Sequence, residues 1–179
     1  GKSPSRFDIK KLENLNGHYI RHTDDAELLQ HFLAFLPHVA GGPDMLARMD
    51  DGMKAKLLKA MPGLKDRAKT LVELKTSAAY LFAQRPLPLD DKAKVLLNDE
   101  GKAALAGLLP VLTSAPTWTV QALEEAVKAY AEAAGLKLGK LAQPLRAALT
   151  GTGTSPGIFD VLEVLGREEC LARISDQTR

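Results

Sequence analysis

Apolar residues recur at three- and four-residue steps along the chain, and this spacing constrains the fold more than any other feature. One wide apolar stripe is formed by Leu28, Leu29, Phe32, Phe35 and Leu36. Such spacing places side chains on one face of an α-helix, whereas a half-buried strand needs strict alternation. No segment alternates over the length of a strand, and aromatic residues, which favour strands, make up only 5% of the chain. We therefore predict an all-α fold, built as a multi-helix array.

Prolines, glycines and capping residues divide this array into segments. The longest predicted helix covers roughly residues 64–84, and the two prolines within 85–89 then favour an extended linker. Further along, Thr119 is placed to cap a helix that ends at Gly135. Pro144 is placed to occupy the first turn of another helix. We therefore expect separate helical domains on the two sides of the linker.

Charge is distributed unevenly between the two sides. Residues 1–85 hold 14 Lys and Arg against 10 Asp and Glu, whereas residues 86–179 hold 10 against 12. The basic excess of the first part could face nucleic-acid phosphates, because lysine and arginine release condensed counterions there. The same residues could instead be the solvated sides of amphipathic helices. Charge alone leaves both interpretations open.

Cysteine usage and hydropathy indicate the compartment. Cys170 is the single cysteine, which excludes an internal disulfide and fits a reducing environment. The chain has no run of 18 or more apolar residues, and its polar first residues do not form a signal peptide. We expect a cytoplasmic protein with no membrane partner.

Signatures of catalysis and metal binding are incomplete. The glycines of segment 151–157 lack the Gly-Lys-Ser/Thr ending of a phosphate-binding loop. His18 and His22 have a spacing that suits zinc, but no clear third ligand accompanies them. Cys170 has no histidine nearby in the sequence to activate it. We expect no catalytic residue, no bound metal and no cofactor in this chain.

The stretch 143–159 is the best candidate for a binding site. Arg146 lies one turn before a loop of glycine, threonine, serine and proline residues. A guanidinium offers several donors, and small residues let the backbone approach an exposed base closely. The alternative is a helix end, a tight turn and a helix start with no ligand.

Four stretches resemble bacterial glutamyl-tRNA synthetases, in the order that family has them. They are 7–21 (FDIKKLENLNGHYIR), 66–71 (DRAKTL), 117–119 (TWT) and 144–159 (PLRAALTGTGTSPGIF), the last followed by VLGRE at 164–168. The resemblance implies two helical subdomains that bind the tRNA anticodon, at 45–86 and 87–179. Residues 1–44 resemble part of the stem-contact region that precedes them.

The resemblance also implies roles for individual residues. Arg146 corresponds to an arginine that contacts an anticodon base. Ser155, Pro156 and Ile158 fall on the loop that contacts the middle and last anticodon bases. Arg67 matches an arginine implicated in reading the first base.

The family's two ATP-binding signatures, of the His-Ile-Gly-His and Lys-Met-Ser-Lys-Ser types, do not occur in the 179 residues. The resemblance therefore implies that this chain binds tRNA-Glu but does not charge it. ATP and Mg²⁺ would act in a catalytic domain of the same parent chain, and the start at Gly1 suggests an expressed fragment. Whether tRNA-Gln is also a partner stays open. The alternative function is a helical protein-interaction domain with no RNA role.

Overall fold

The computed structural model describes residues 6–179, with side chains from Ile9 onward. Residues 1–5, on which the expectation of an expressed fragment rests, lie outside the described residues. The described part contains helices and no strand, so the predicted all-α fold is confirmed. The α-helices are α1 (Arg6–Glu13), α2 (Gly17–His22), α3 (Asp25–Phe35), α4 (Gly42–Ala47), α5 (Asp51–Lys65), α6 (Leu71–Ala78), α7 (Asp91–Leu96), α8 (Asp99–Thr113), α9 (Val120–Ala133), α10 (Leu138–Thr150), α11 (Ile158–Leu165) and α12 (Arg167–Thr178). Short 3-10 helices cover Leu36–His38 and Ala79–Phe82.

The chain divides into two compact units, one ending at Phe82 and the other beginning at Ala83. In the first unit, the apolar stripe of α3 packs against α5. Phe32 of α3 and Leu57 and Met61 of α5 are fully buried. The Nζ atom of Lys65, at the end of α5, lies 2.6 Å from a carboxylate oxygen of Asp25, at the start of α3. A buried apolar seam and one ion pair therefore join these two helices.

The predicted long helix at 64–84 is wrong, because the chain leaves the helix between residues 66 and 70. Helix α6 begins only after Thr70, whose hydroxyl accepts a hydrogen bond from the Glu73 amide at 3.1 Å. The Glu73 carboxylate in turn accepts from the Lys69 amide at 2.6 Å. These bonds form a variant of the capping box, which satisfies amides that have no partner inside the helix. The capping residues define a helix start that apolar periodicity alone did not indicate.

The second unit is centred on α8, which packs against α10 and α12. Its core includes Leu105 and Leu108 of α8, Leu145 and Leu149 of α10 and Ile174 of α12, each 1% exposed or less. Because these three helices bury their apolar faces together, the ends of α10 and α12 are held firmly.

Two predicted boundaries in this unit are confirmed. The hydroxyl of Thr119 accepts from the Ala122 amide at 3.2 Å at the start of α9, and Gly135 follows the helix with a φ of +67°. The prediction for Pro144 is wrong, because α10 begins at Leu138 and contains Pro144 in its interior. Pro144 lies close to Gly101 of α8, where an added Cβ would be 3.3 Å from the proline Cβ. This close packing keeps the helix continuous although the proline amide cannot donate.

Candidate nucleic-acid interface

Arg146 lies on α10 beside the buried apolar face of the helix, at a position that is partly exposed to solvent. Leu145, Ala147 and Ala148 are completely buried, whereas Arg146 is half-buried. The helix ends at Thr150, and the amide of the next residue, Gly151, donates to the Ala147 carbonyl at 2.9 Å. Arg146 is therefore fixed at its backbone by a packed helix, with its guanidinium beside the loop that follows.

The Arg146 guanidinium is bound from two directions. Its Nε atom donates to the Ser155 hydroxyl at 2.8 Å, across the loop. Its Nη1 atom donates to the side-chain oxygen of Gln143, one turn earlier on α10, at 3.3 Å. The structure thus brings together two of the predicted site residues, Arg146 and Ser155.

Backbone geometry fixes the start of the loop. Gly151 has a φ of +74°, a conformation that residues other than glycine rarely adopt. A Cβ added there would lie only 2.3 Å from the Pro88 carbonyl oxygen. The Gly151 carbonyl accepts from the Asp90 amide at 2.9 Å. The segment after the linker therefore holds this end of the loop in place.

Threonine hydroxyls organise the next part of the loop. The Thr150 hydroxyl donates to the Arg146 carbonyl at 2.8 Å and accepts from the Thr152 amide at 3.2 Å. The Thr152 hydroxyl donates to the Thr154 carbonyl at 2.5 Å. These bonds replace part of the helical ladder after α10 ends, and they give the loop a defined shape.

The other two predicted loop residues lie in the interior. Pro156 is buried, and Ile158, the first residue of α11, is 6% exposed. Ser155 is half-buried, and Gly157 beside Pro156 is exposed. Of the four residues that the resemblance assigns to this site, Arg146 and Ser155 therefore have more accessible side chains than Pro156 and Ile158.

Arg173 of α12 is a buried cation that sequence analysis did not single out. Its side chain is 2% exposed, and its Nη1 atom donates to the Leu149 carbonyl at 2.6 Å. Its Nε atom donates to the Glu169 carboxylate at 2.9 Å. Arg173 lies on the same helix face as the apolar residues Cys170 and Ile174. That pattern could have indicated a buried, hydrogen-bonded arginine, because a charge on a buried face needs partners.

Arg67 belongs to the first unit. It is exposed on the non-helical segment 66–70, next to Ala68, which is 1% exposed. A Cβ added at Gly17 of α2 would lie 3.4 Å from the Ala68 carbonyl oxygen, so α2 closely approaches this segment. The backbone that carries Arg67 is therefore supported by α2.

The histidine pair predicted to lack a third ligand forms a ring contact. The His18 and His22 ring centroids lie 4.3 Å apart on α2. Within residues 6–179, no group of three or more His, Cys, Asp or Glu side chains could hold a metal ion. None of the helices in this range is long and apolar enough to cross a lipid bilayer.

An all-helical unit with an arginine held beside a short polar loop suits a helical domain that binds exposed bases. The family model described as "Anticodon binding domain" matches residues 26–178. The chain therefore belongs to the anticodon binding domain family.

Relatives of known sequence agree with this assignment. Glutamate–tRNA ligase 2 of Brucella ovis and glutamate–tRNA ligase 1 of Brucella melitensis are each 58% identical to the chain over 176 residues. The match covers 98% of the chain and 37% of each relative. The resemblance to glutamyl-tRNA synthetases is thus confirmed, and the chain spans a little over a third of the length of these curated relatives.

Solved structures give the same result for the fold. A glutamate tRNA ligase from Elizabethkingia meningosepticum superposes with a TM-score of 0.71 at 26% identity, covering 91% of this chain and 30% of that one. The glutamate-tRNA synthetase of Elizabethkingia anophelis superposes with a TM-score of 0.59 at 23% identity, which shows the fold alone.

Proposed function

We propose that this chain selects tRNA-Glu through its anticodon on behalf of a glutamate–tRNA ligase. Arg146 contacts an anticodon base, and the loop with Ser155, Pro156 and Ile158 surrounds it. Arg67 reads the first anticodon base from the first unit. The observation that carries the proposal is the half-buried guanidinium of Arg146, held at the polar loop within the family match.

The chemistry of Arg146 suits this role. A guanidinium presents five N–H donors in a planar fork, which matches the acceptors on the edge of a base. Partial burial removes water from these donors, and the lower local dielectric makes each hydrogen bond to a ligand stronger. A loop of small residues leaves room for an unstacked base beside the guanidinium.

The remaining parts of the chain have proposed places in the same scheme. Residues 45–86 and 87–179 serve as two anticodon-binding subdomains, and residues 1–44 contribute to stem contact. The chain would act together with a catalytic domain of the same parent protein. ATP and Mg²⁺ would act in that domain, since the family's two ATP-binding signatures do not occur in the 179 residues.

The alternative, a protein-interaction domain, requires an exposed apolar surface. The large hydrophobic side chains most exposed among residues 9–179 are Tyr19, Leu58, Val72, Val95 and Leu136. They lie on α2, α5, α6, α7 and the turn before α10, one on each. No single helix in this range therefore carries a bare apolar stripe, and we favour RNA because the family match is to an anticodon binding domain.

The test is binding of a tRNA-Glu transcript to the 179-residue chain and to its Arg146→Ala variant. Loss of one base contact should weaken binding by about 1–3 kcal/mol. Arg179→Ala is the control, because it removes the same charge from an exposed position at the chain end. Equal affinities of the Arg146 and Arg179 variants would reject the assignment of Arg146. A tRNA-Gln transcript in the same assay decides whether that tRNA is also a partner.

A further inference from the structure

The Ser155 hydroxyl is committed to two hydrogen bonds within the protein. It accepts from Nε of Arg146 at 2.8 Å and donates its own proton to the Pro156 carbonyl at 2.7 Å. A serine hydroxyl has one proton to donate. In this arrangement Ser155 cannot also donate to a base, although its position in the loop suggests a base contact.

The two bonds form a relay from the backbone to the guanidinium. The Pro156 carbonyl orients the hydroxyl, and the hydroxyl directs a lone pair at Nε of Arg146. Pro156 is buried, so the anchor of this relay is held by the packed part of the unit. The orientation of Ser155 is therefore set from the protein interior.

Gln143 provides a second, weaker support. Its side-chain oxygen accepts from Nη1 of Arg146 at 3.3 Å, and the side chain is exposed. Because a guanidinium is planar, fixing Nε and Nη1 fixes the plane of the whole group. A group held in its binding orientation loses less conformational entropy when a ligand arrives.

We propose that Ser155 is a positioning residue that orients the Arg146 guanidinium for base recognition, and that its hydroxyl proton is not donated to a base. Gln143 assists from the preceding turn of α10. This inference rests on the proposed function, and it changes the role of Ser155 from a direct contact to an indirect one.

The test is a double-mutant cycle, read as the affinity for a tRNA-Glu transcript. Ser155→Ala should weaken binding about three- to tenfold when Arg146 is present, the range expected for one lost hydrogen bond. In the Arg146→Ala background the same change should have no further effect, because the group that Ser155 orients is gone. An equal loss in both backgrounds would show a direct contact and overturn the inference. So would an unchanged affinity of Ser155→Ala alone.

Matched variants separate positioning from folding. Ser155→Thr keeps the hydroxyl and should restore most of the affinity, and failure to do so counts against the inference. Ser114→Ala removes a hydroxyl that also donates to a backbone carbonyl, that of Pro110 at 2.8 Å, and should leave binding unchanged. If Ser155→Ala does not fold, Gln143→Met runs the same cycle from an exposed position. It should show a smaller loss that again disappears without Arg146, and an additive loss rejects the proposal that bonds within the protein orient the Arg146 guanidinium for the base.

The cycle also distinguishes the inference from the function on which it rests. If Arg146→Ala binds as well as the unchanged chain, both the proposed site and the role of Ser155 fail. If Arg146→Ala weakens binding while the two changes are additive, the site stands and only the positioning role fails.

Discussion

The two arginines assigned to the anticodon differ in how their surroundings hold them. Arg67 is exposed on the short segment 66–70, whose last residue, Thr70, caps α6 together with Glu73. Arg146 is half-buried on a packed helix, and its guanidinium is bonded across a loop to Ser155. The backbone beside Arg67 is held by a helix cap and by the close approach of α2, whereas Arg146 lies on a packed helix and its guanidinium is hydrogen-bonded to Ser155 and Gln143.

This difference indicates two ways in which the fold can hold an arginine that is proposed to bind a base. The bonds of the cap are made between near neighbours and partly in contact with water, so their loss should disturb the segment more than the hydrophobic core beneath it. The Arg146 loop is tied to α12 and to the segment after the linker through Arg173 and Asp90. Its geometry should therefore depend on the stability of the whole second unit.

The largest loss of unfolding free energy is expected from Arg173→Met. The substitution keeps an unbranched side chain but removes the donor to the Leu149 carbonyl and leaves that buried acceptor without it. Removing one partner from a buried charged network costs about 3 kcal/mol or more of unfolding free energy. Urea unfolding can be followed through Trp118, the single tryptophan, which donates to the Leu162 carbonyl at 2.6 Å within the second unit.

The control for this prediction is Arg179→Met, which makes the same change at the exposed residue that follows α12. Its unfolding midpoint should stay close to that of the unchanged chain. If the two variants unfold alike, the loop does not depend on the buried arginine, and the contrast between Arg67 and Arg146 loses its basis.

Local signals predicted those parts of the fold that local bonds determine. Helical spacing indicated the all-α class, and Thr119 and Gly135 marked α9 because a cap acts within a few residues. Pro144 misled for the converse reason, since it lies inside α10. A proline costs one helical bond at its own position, but packing of the helix face against distant residues offsets the loss.

The same distinction applies to the site. The sequence resemblance pointed to Arg146 and the loop, and the structure places the Arg146 and Ser155 side chains in contact nine positions apart. The bonds of Arg173 reach the carbonyls of Leu149 and Ala83, which lie 24 and 90 positions away. Periodicity and capping contain no information about such separations, so this support could be found only in three dimensions.

A smaller loss of unfolding free energy is expected when α6, in the first unit, loses its N-cap. Thr70→Ala removes the acceptor of the Glu73 amide and should cost about 1 kcal/mol, the usual value for an N-cap. Thr70→Ser keeps the acceptor and serves as the control. Hydrogen exchange should show faster exchange of the Glu73 amide and little change in α10. Equally fast exchange in α10 would contradict the view that the two arginine segments are organised separately.

The smallest expected effect is the pH dependence of the stability that the surface pair of Arg85 and Asp176 gives to the second unit. Nε of Arg85 donates to the Asp176 carboxylate at 2.8 Å, and this hydrogen bond lowers the pKa of Asp176 from its ordinary 3.8. Because the folded-state pKa lies below the unfolded one, the stabilisation is fully present above the unfolded value and is lost as pH falls through the folded value. The advantage in unfolding free energy over Asp176→Asn should therefore be constant near neutrality and shrink below about pH 4. Glu125→Gln, an exposed change on α9, is the control and should show no matching decline. A difference that persists unchanged into acid would show that the pair does not act through its charge.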